Sequence, residues 1–364
     1  MTIDLRGANT NNKGAELMLI AAATRLGARA AVSATPAGTA YAARARLGLL
    51  QTLHIHQSPV AFSRAGNLVP ARLRRTYGLV SDAELRGIVD ISGFAYADQF
   101  APTRAQREAR RARSWDRRGV PRVFLPQAFG PFTSAPLREA SRTLLRGAQL
   151  VFCRDDASLG YVRALDPSIQ AVRAPDFTIG LQAAPTTAHA LPGEFAALVP
   201  NTKMITSGTV PERIYRESLV AAGAAARAAG LEVVVVRHES TDDAFCASLD
   251  RELGCMVVRD PDPLVTKGVL GAASLVVGSR FHGIVSALAQ GVPSVVMGWS
   301  HKYEGLLGDF AVPQWLVDRP EELASAVPRV LDDAAGRLRL RERTQALGEE
   351  VDAMWSATYE ALRI

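Results

Sequence analysis

LGAASLVVGSRFHGIVSALAQGVPSVVMGWSHKY, Leu270 to Tyr303, is the stretch that decides the fold. Ser274-Leu275-Val276-Val277 is an apolar, β-rich run closed by Gly278, and apolar residues return at helical spacing from Ile284 to Leu288. Gly278-Ser279-Arg280-Phe281-His282-Gly283 therefore lies on a strand-to-helix turn. A second short strand, Ser294 to Met297, follows Gly291-Val292-Pro293 and ends near Gly298. In an open α/β sheet, ligands bind outside the carboxyl ends of the strands, where helix N-termini offer unpaired N–H groups to anions. Arg280 and His282 belong to that end, and Lys302 is expected to face the same crevice from the next loop. Three cationic side chains would then converge on a place suited to phosphate or carboxylate.

Outward from this stretch, 364 residues suffice for two or three domains, each with its own core. Hydrophobic residues make up 48% and charged ones 21%, as in an ordinary α/β protein. No apolar run reaches the roughly 20 residues of a spanning helix. The chain enters a strand at once, at Thr2-Ile3-Asp4-Leu5, without the regions of a signal peptide, so a cytoplasmic location is expected. Cys153, Cys246 and Cys255 are far apart and form no metal-binding or disulfide pattern. The net charge of +6 owes much to arginines at 72–75 and 104–122. No nucleic-acid module accompanies them. A solvated arginine face is expected, with peripheral contact to an anionic membrane surface as a further possibility.

In chain order, Ile3 to Gly7 predicts a first strand, Ala8 to Gly14 a polar turn, and Ala15 to Leu26 a helix. Ala30 to Ser33 predicts a strand and Tyr41 to Leu50 a helix; Gln51 to Arg75 has little pattern. His54 and His56 there lack a third metal ligand and suit a solvated or acceptor-facing strand. Strands are expected at Gly87 to Phe94, Val120 to Leu125 and Leu150 to Cys153, with a basic helix from Thr103 to Arg118 and a loop from Pro126 to Phe132. Arg154 ends a strand just before a helix that Asp155 or Asp156 caps, a placement like that of Arg280. Gln182 to Gly193 has the composition of a linker, dividing a domain at 1–181 from one at 194–335, with a long amphipathic helix in 336–364. In the second domain Phe195 to Val199 and Leu231 to Val236 predict buried parallel strands, and His238 marks the carboxyl edge. Pro320 to Ala335 predicts one helix.

The run SRFHGIVSALAQGVPSVVMGWSHKYEGLL resembles the C-terminal signature of the polysaccharide pyruvyl transferase family, in which an S-x-R-x-H-G turn is followed by a Gly-x-Pro strand start and a later Lys. Asn12-Lys13-Gly14 is similar to that family's N-x-G loop, Pro126 to Phe132 to its P-Q-x-x-G-P-F segment, and Arg154-Asp155 with Ser158 to its arginine-acid-serine pattern. Many members carry an acidic residue directly after the loop glycine; here Ala15 stands there and Glu16 follows. Whether Glu16, Asp4 or neither serves the acceptor stays open. The resemblance implies two Rossmann-like α/β domains facing a central cleft, in the manner of GT-B folds, with the last helix crossing back to the N-terminal domain. It implies an acceptor on the N-terminal side, with Asn12, Gly14, Glu16, Gln127 and Trp299 as candidate contacts, and phosphoenolpyruvate (PEP) on the C-terminal side. Arg154 would hold the PEP carboxylate or phosphate from the opposite wall, or pair with Asp155 or Asp176.

Phosphoenolpyruvate carries a phosphate and a carboxylate on one enol ether, so its site needs two cationic clamps and an acid near the methylene carbon. Arginine suits a bidentate clamp, lysine a compact charge on phosphate, and histidine a proton donor near neutrality. Arg154, Arg280, His282 and Lys302 are thus the expected PEP-binding set, with His282 catalytic. Phe281 is expected to pack beneath the turn, while Trp299 could stack on a sugar or on the core and His301 could support the site or be solvated. No metal or cofactor is expected, so activity should survive EDTA. A GT-B glycosyltransferase using a nucleotide-sugar is the main alternative, kept alive by Glu304 near the Gly-x-Pro region; a membrane-associated scaffold is another.

Overall fold

The computed structural model describes residues 1–7, 9–35, 38–53, 68–187, 189–298 and 300–364. His54, His56 and Trp299 lie outside them. Two compact units are present: unit 1 comprises Met1–Asn11, Ala15–Phe177 and Glu350–Ile364, and unit 2 comprises Asn12–Gly14 and Thr178–Glu349.

Unit 1 is built on β1 (Thr2–Arg6), α1 (Lys13–Gly27, its first residues counted with unit 2), β2 (Ala31–Ala34), α2 (Tyr41–Arg46), β3 (Leu50–Thr52), α3 (Ala71–Thr76), β4 (Leu79–Val80), β5 (Leu85–Asp90) and β6 (Phe94–Tyr96). It continues through α4 (Thr103–Arg117), β7 (Arg122–Phe129), α5 (Ala135–Arg146), β8 (Leu150–Cys153), α6 (Asp156–Leu165) and β9 (Ala171–Arg173). The strands form one parallel sheet in the order β4-β3-β2-β1-β5-β7-β8-β9, with β6 added beside β7. Leu5 pairs with Ala34 on one side and Val89 on the other, so the strand order reverses at β1. Trp115, Phe124, Phe129, Leu137 and Leu144 belong to the core beneath α4 and α5. Such buried parallel strands read as continuous apolar runs because both faces are covered.

Several sequence expectations are corrected here. The helix from Tyr41 stops at Arg46 because Gly48 turns the chain with φ +63° and Leu50 enters β3. Of the patternless 51–75 region, residues 54–67 lie outside the described ones; its last residues form α3, which is short and has no buried residues, so it carries no apolar periodicity. Val120–Leu125 understates β7, which runs on through Pro126 and Gln127 to Phe129; a register shift against β8 between Phe124 and Gln127 lets a donorless proline sit in the strand. The strand expected to reach Phe94 ends at Asp90, and Phe94–Tyr96 forms a separate strand. The arginine face is not simply solvated: Arg122 is fully buried and bonds Asp116 at 2.5 Å, and Arg118 bonds Asp82 at 2.9 Å.

Unit 2 contains β10 (Phe195–Val199), α7 (Lys203–Thr206), α8 (Glu212–Ala228), β11 (Glu232–Val236), α9 (Asp243–Leu253), β12 (Met256–Val258), α10 (Pro263–Gly271) and β13 (Leu275–Gly278). After these come α11 (Phe281–Leu288), β14 (Ser294–Met297), α12 (His301–Asp309), β15 (Leu316–Val317), α13 (Leu323–Asp332) and α14 (Ala334–Leu362). Its parallel sheet has the order β12-β11-β10-β13-β14-β15, so the order reverses between β10 and β13. The single helix expected over 320–335 is interrupted: Asp333 breaks it, accepting from Gly336 N–H at 2.7 Å to start α14.

From Glu350 onward α14 belongs to unit 1, where Trp355 meets Phe177 edge-to-face at 6.1 Å and Asp352 bonds Arg25 at 2.5 Å. The last helix therefore does return to the N-terminal unit. No described helix is long and apolar enough to cross a membrane.

Candidate active site

The site in unit 2 forms where β10 and β13 part, the point at which open α/β sheets bind ligands. Ser279 follows β13 and is gripped from three sides. Asn201 donates to its carbonyl at 2.8 Å, Tyr303 Oη donates to the same carbonyl at 2.7 Å, and Tyr215 Oη lies 2.7 Å from its hydroxyl. Arg280 takes extended backbone angles and begins α11, so its side chain and the first helical amides share one end of the helix.

The Arg280 guanidinium is held by two carboxylates. Its Nε and Nη2 donate to Asp242 at 3.0 and 2.5 Å, and its Nη1 lies 2.8 Å from Glu239. Asp242 is fully buried and also accepts from the Thr202 amide and hydroxyl at 3.0 and 2.7 Å. Three of the five guanidinium N–H groups are committed to these carboxylates, so Arg280 is an internal strut, with two N–H groups not committed among the described residues, rather than a fully open clamp. Burial raises the Glu239 carboxyl above its usual range despite Arg280.

His282 lies one helical residue further on. Its ring meets Phe281 edge-on at 5.3 Å, and Phe281 is itself buried and in edge contact with Tyr303 at 5.7 Å. The Lys302 ammonium stands 5.5 Å from the Phe281 ring centre and 5.3 Å from that of Tyr303. Phe281 thus packs beneath the turn, as expected, and carries His282 and Lys302 around it.

The N-x-G segment joins this group. Asn12 donates to Glu239, Lys13 donates to the Pro261 carbonyl at 2.9 Å, and a Cβ placed on Gly14 would lie 2.4 Å from His282 Nδ1. His238, at the end of β11, is 3% exposed, and burial followed by the charges of Arg280, His282 and Lys13 pushes its imidazole well below the usual histidine range. It is therefore neutral at physiological pH, next to Arg280, Lys13 and the second imidazole of His282.

Arg154, Gln127, Glu16 and Asp4 belong to unit 1, and His301 and Glu304 to unit 2. Arg154 is buried and bonds Asp176 at 3.0 Å. Its neighbours Asp155 and Ser158 have local duties: Asp155 caps α6 by accepting from Ser158 N–H at 2.7 Å, and Ser158 Oγ accepts from Phe129 N–H at 2.9 Å. Gln127 is fully buried and donates to Asp90 at 3.2 Å. Glu16 bonds Arg46 at 3.0 Å. Asp4 is fully buried under Arg6, Ser33 and Thr52, which removes it as a carboxylate for an acceptor. Glu304 is exposed in the first turn of α12, and His301 is half-buried beside it. Among the described residues, no group of three or more His, Cys, Asp or Glu is placed to hold a metal.

The sequence profile described as polysaccharide pyruvyl transferase matches residues 71–301, more than half of the chain. The chain belongs to the polysaccharide pyruvyl transferase family. The match includes Arg154, Arg280 and His282 and ends one residue before Lys302. Membership makes this protein an enzyme of the transferase class acting on polysaccharide. No curated protein sequence matches it significantly.

Solved structures similar to this pyruvyl transferase family member include Anabaena Alr3699/HepE in complex with UDP-glucose, at 16% identity over 99% of each chain with a TM-score of 0.60. UDP-GlcNAc 2-epimerase from Neisseria meningitidis, bound to UDP-GlcNAc, matches at 9% identity over 99% of each chain with a TM-score of 0.62. The spinosyn rhamnosyltransferase SpnG, complexed with thymidine diphosphate, matches at 14% identity over 97% of this chain and 96% of its own, with a TM-score of 0.55. They establish the two-domain, Rossmann-like GT-B fold.

Sequence reading alone passed over Asp242, Glu239, Asn201 and Lys13. A signal existed for the first two: His238-Glu239-Ser240-Thr241-Asp242 directly follows the β11 run, at the carboxyl edge where ligands bind. Gly14 has a direct test. Gly14→Ala places a methyl against the His282 ring, and a misplacement of about 1 Å costs roughly 100-fold in rate. Turnover should fall by that order with the unfolding midpoint preserved; wild-type turnover in this variant would show that the His282 ring position is unimportant.

Proposed function

We propose that this enzyme transfers the pyruvyl group of PEP to two hydroxyls of a sugar in a polysaccharide, glycolipid or precursor, forming a cyclic ketal and releasing phosphate. The observation that carries this is the grouping of Arg280, Lys13 and the imidazole of His282 around the buried His238, with Lys302 held on the same Phe281 ring that His282 meets. A dianionic phosphate and a carboxylate on one small molecule match such a grouping, and the first amides of α11 add donors.

In the proposed sequence, protonated His282 delivers its proton to the PEP methylene carbon, and C2 becomes electrophilic. A sugar hydroxyl forms a bond to C2 and loses its proton. The bond from C2 to the phosphate oxygen then breaks, the phosphate leaving with the electron pair while Lys302, Lys13 and the α11 amides stabilise it. A second hydroxyl forms a bond to C2 and closes the ketal; of the two hydroxyl protons released, one restores His282 and the other leaves on the phosphate. One PEP and two hydroxyls thus give one ketal and one phosphate.

Incubation of the enzyme with PEP and the cell-envelope glycans of its source organism in D2O tests this. Phosphate release should match pyruvate gained by the glycan, with one solvent deuterium in each ketal methyl group. Unchanged PEP alongside transfer of a hexose from a nucleotide-sugar would instead identify a glycosyltransferase.

A further inference from the structure

Unit 1 has a switch point of its own, where β1 is flanked by β2 on one side and β5 on the other. A cavity of about 170 Å3 opens there, and its charged and aromatic lining is Arg6, Asp90, Tyr96, Arg104, Arg107 and Glu108. No candidate site residue named above lines it.

Most of the lining is already spoken for. Arg6 bonds Glu108 at 3.0 Å and Asp4 at 3.2 Å. Asp90 accepts from Tyr96 Oη at 2.7 Å, from Ser92 N–H at 2.9 Å and from Gln127 at 3.2 Å. Burial works against the Glu108 charge, but Arg6 and Arg111 outweigh it and hold the carboxyl at about 2, so it is ionised at neutral pH.

Arg104 and Arg107 differ. Arg104 donates to Ser92 Oγ at 2.7 Å and lies 6.0 Å from the Tyr96 ring centre. Arg107 makes no hydrogen bond or ion pair among the described residues, and neither arginine is within ion-pair distance of a described carboxylate. Three residues apart on α4, they project from one helix face as neighbouring forked donors, the arrangement that receives an oxyanion. Asp90 on β5 and Glu108 beside Arg107 on α4 share the lining, and carboxylate lone pairs accept from hydroxyls. A volume below the roughly 300–1,000 Å3 of clefts for drug-sized molecules suits one sugar ring better than a nucleotide.

We propose that this cavity binds one hexose unit bearing an oxyanion, with Arg104 and Arg107 on the oxyanion and Asp90 and Glu108 facing the hydroxyls. This rests on the pyruvyl-transfer reading only for the role of that hexose as the acceptor. The oxyanion belongs to either a sugar phosphate or a uronate.

The test is calorimetric titration of the full chain with glucose 1-phosphate, galactose 1-phosphate, glucuronate and galacturonate, with neutral glucose and inorganic phosphate as references. The proposal expects at least one anionic hexose to bind, tighter than either reference, with Arg107→Ala weakening it at least tenfold and Arg107→Lys less. Whether the phosphates or the uronates bind identifies the source of the charge. Binding by none of the four, equal binding of inorganic phosphate, or affinity unchanged in Arg107→Ala would overturn it. PEP is titrated into the same samples: loss of PEP binding by the wild type would sink the proposed reaction, whereas the hexose results judge this cavity alone.

Discussion

His282→Gln should lose two to four powers of ten in turnover while unfolding at the wild-type midpoint. The size follows from what a positioned general acid contributes to proton transfer. The midpoint should hold because the ring is half-buried and rests against Phe281, which stays packed on Tyr303 without it. Affinity for PEP should change only a few-fold, since Lys302, Lys13 and the helix amides keep their places. Loss of turnover with retained PEP binding marks an interaction made in the transition state. Equal losses of both would mean that His282 only helps to bind, and wild-type turnover would remove it from the chemistry.

Asp242→Ala should act on stability. The carboxylate accepts two bonds from Arg280 and two from Thr202 and is wholly buried, and Arg280 is 8% exposed. Removing one partner of a buried pair leaves an uncompensated charge and costs roughly 3–5 kcal/mol. At about 2–4 °C per kcal/mol for a unit of this size, the midpoint should drop by some 6–20 °C. The double variant Asp242→Ala with Arg280→Met should recover part of that loss, because it removes the stranded charge as well. A midpoint within 2 °C of wild type in the single variant would show that Glu239 alone satisfies the guanidinium.

The 270–303 stretch was legible because its signals are local. β-Branched runs closed by glycine gave β13 and β14, and the return of helical spacing gave α11, whose observed start at Phe281 follows directly from the turn. The neighbourhood of His282 and Lys302 around Phe281 was legible for the same reason, since strand ends in a parallel sheet share one edge, whereas the carboxylates that hold Arg280 were not. What the sequence did not disclose depends on distant partners. That Gly14 abuts His282, or that Asp242 and Glu239 hold Arg280, is a tertiary fact with no periodic signature. Pro126 concealed the continuation of β7, because a proline in a strand reads as a break unless the register shift beside it is known. Asp4 looked available as a polar residue near a strand end; its side chain in fact points into the fully buried bonds of Ser33 and Thr52. Arg154 was legible as a strand-end arginine, and its pairing with Asp176 was one of the two partners foreseen.

Titration of PEP into the wild type and Lys302→Ala decides whether the His282 and Lys302 group binds PEP. The wild type should give saturable heat with one site per chain, Lys302→Ala an affinity at least tenfold weaker, and UDP-glucose no comparable heat. Absence of PEP binding together with tight binding of UDP-glucose would contradict it and assign the cationic crevice of unit 2 to a sugar diphosphate instead.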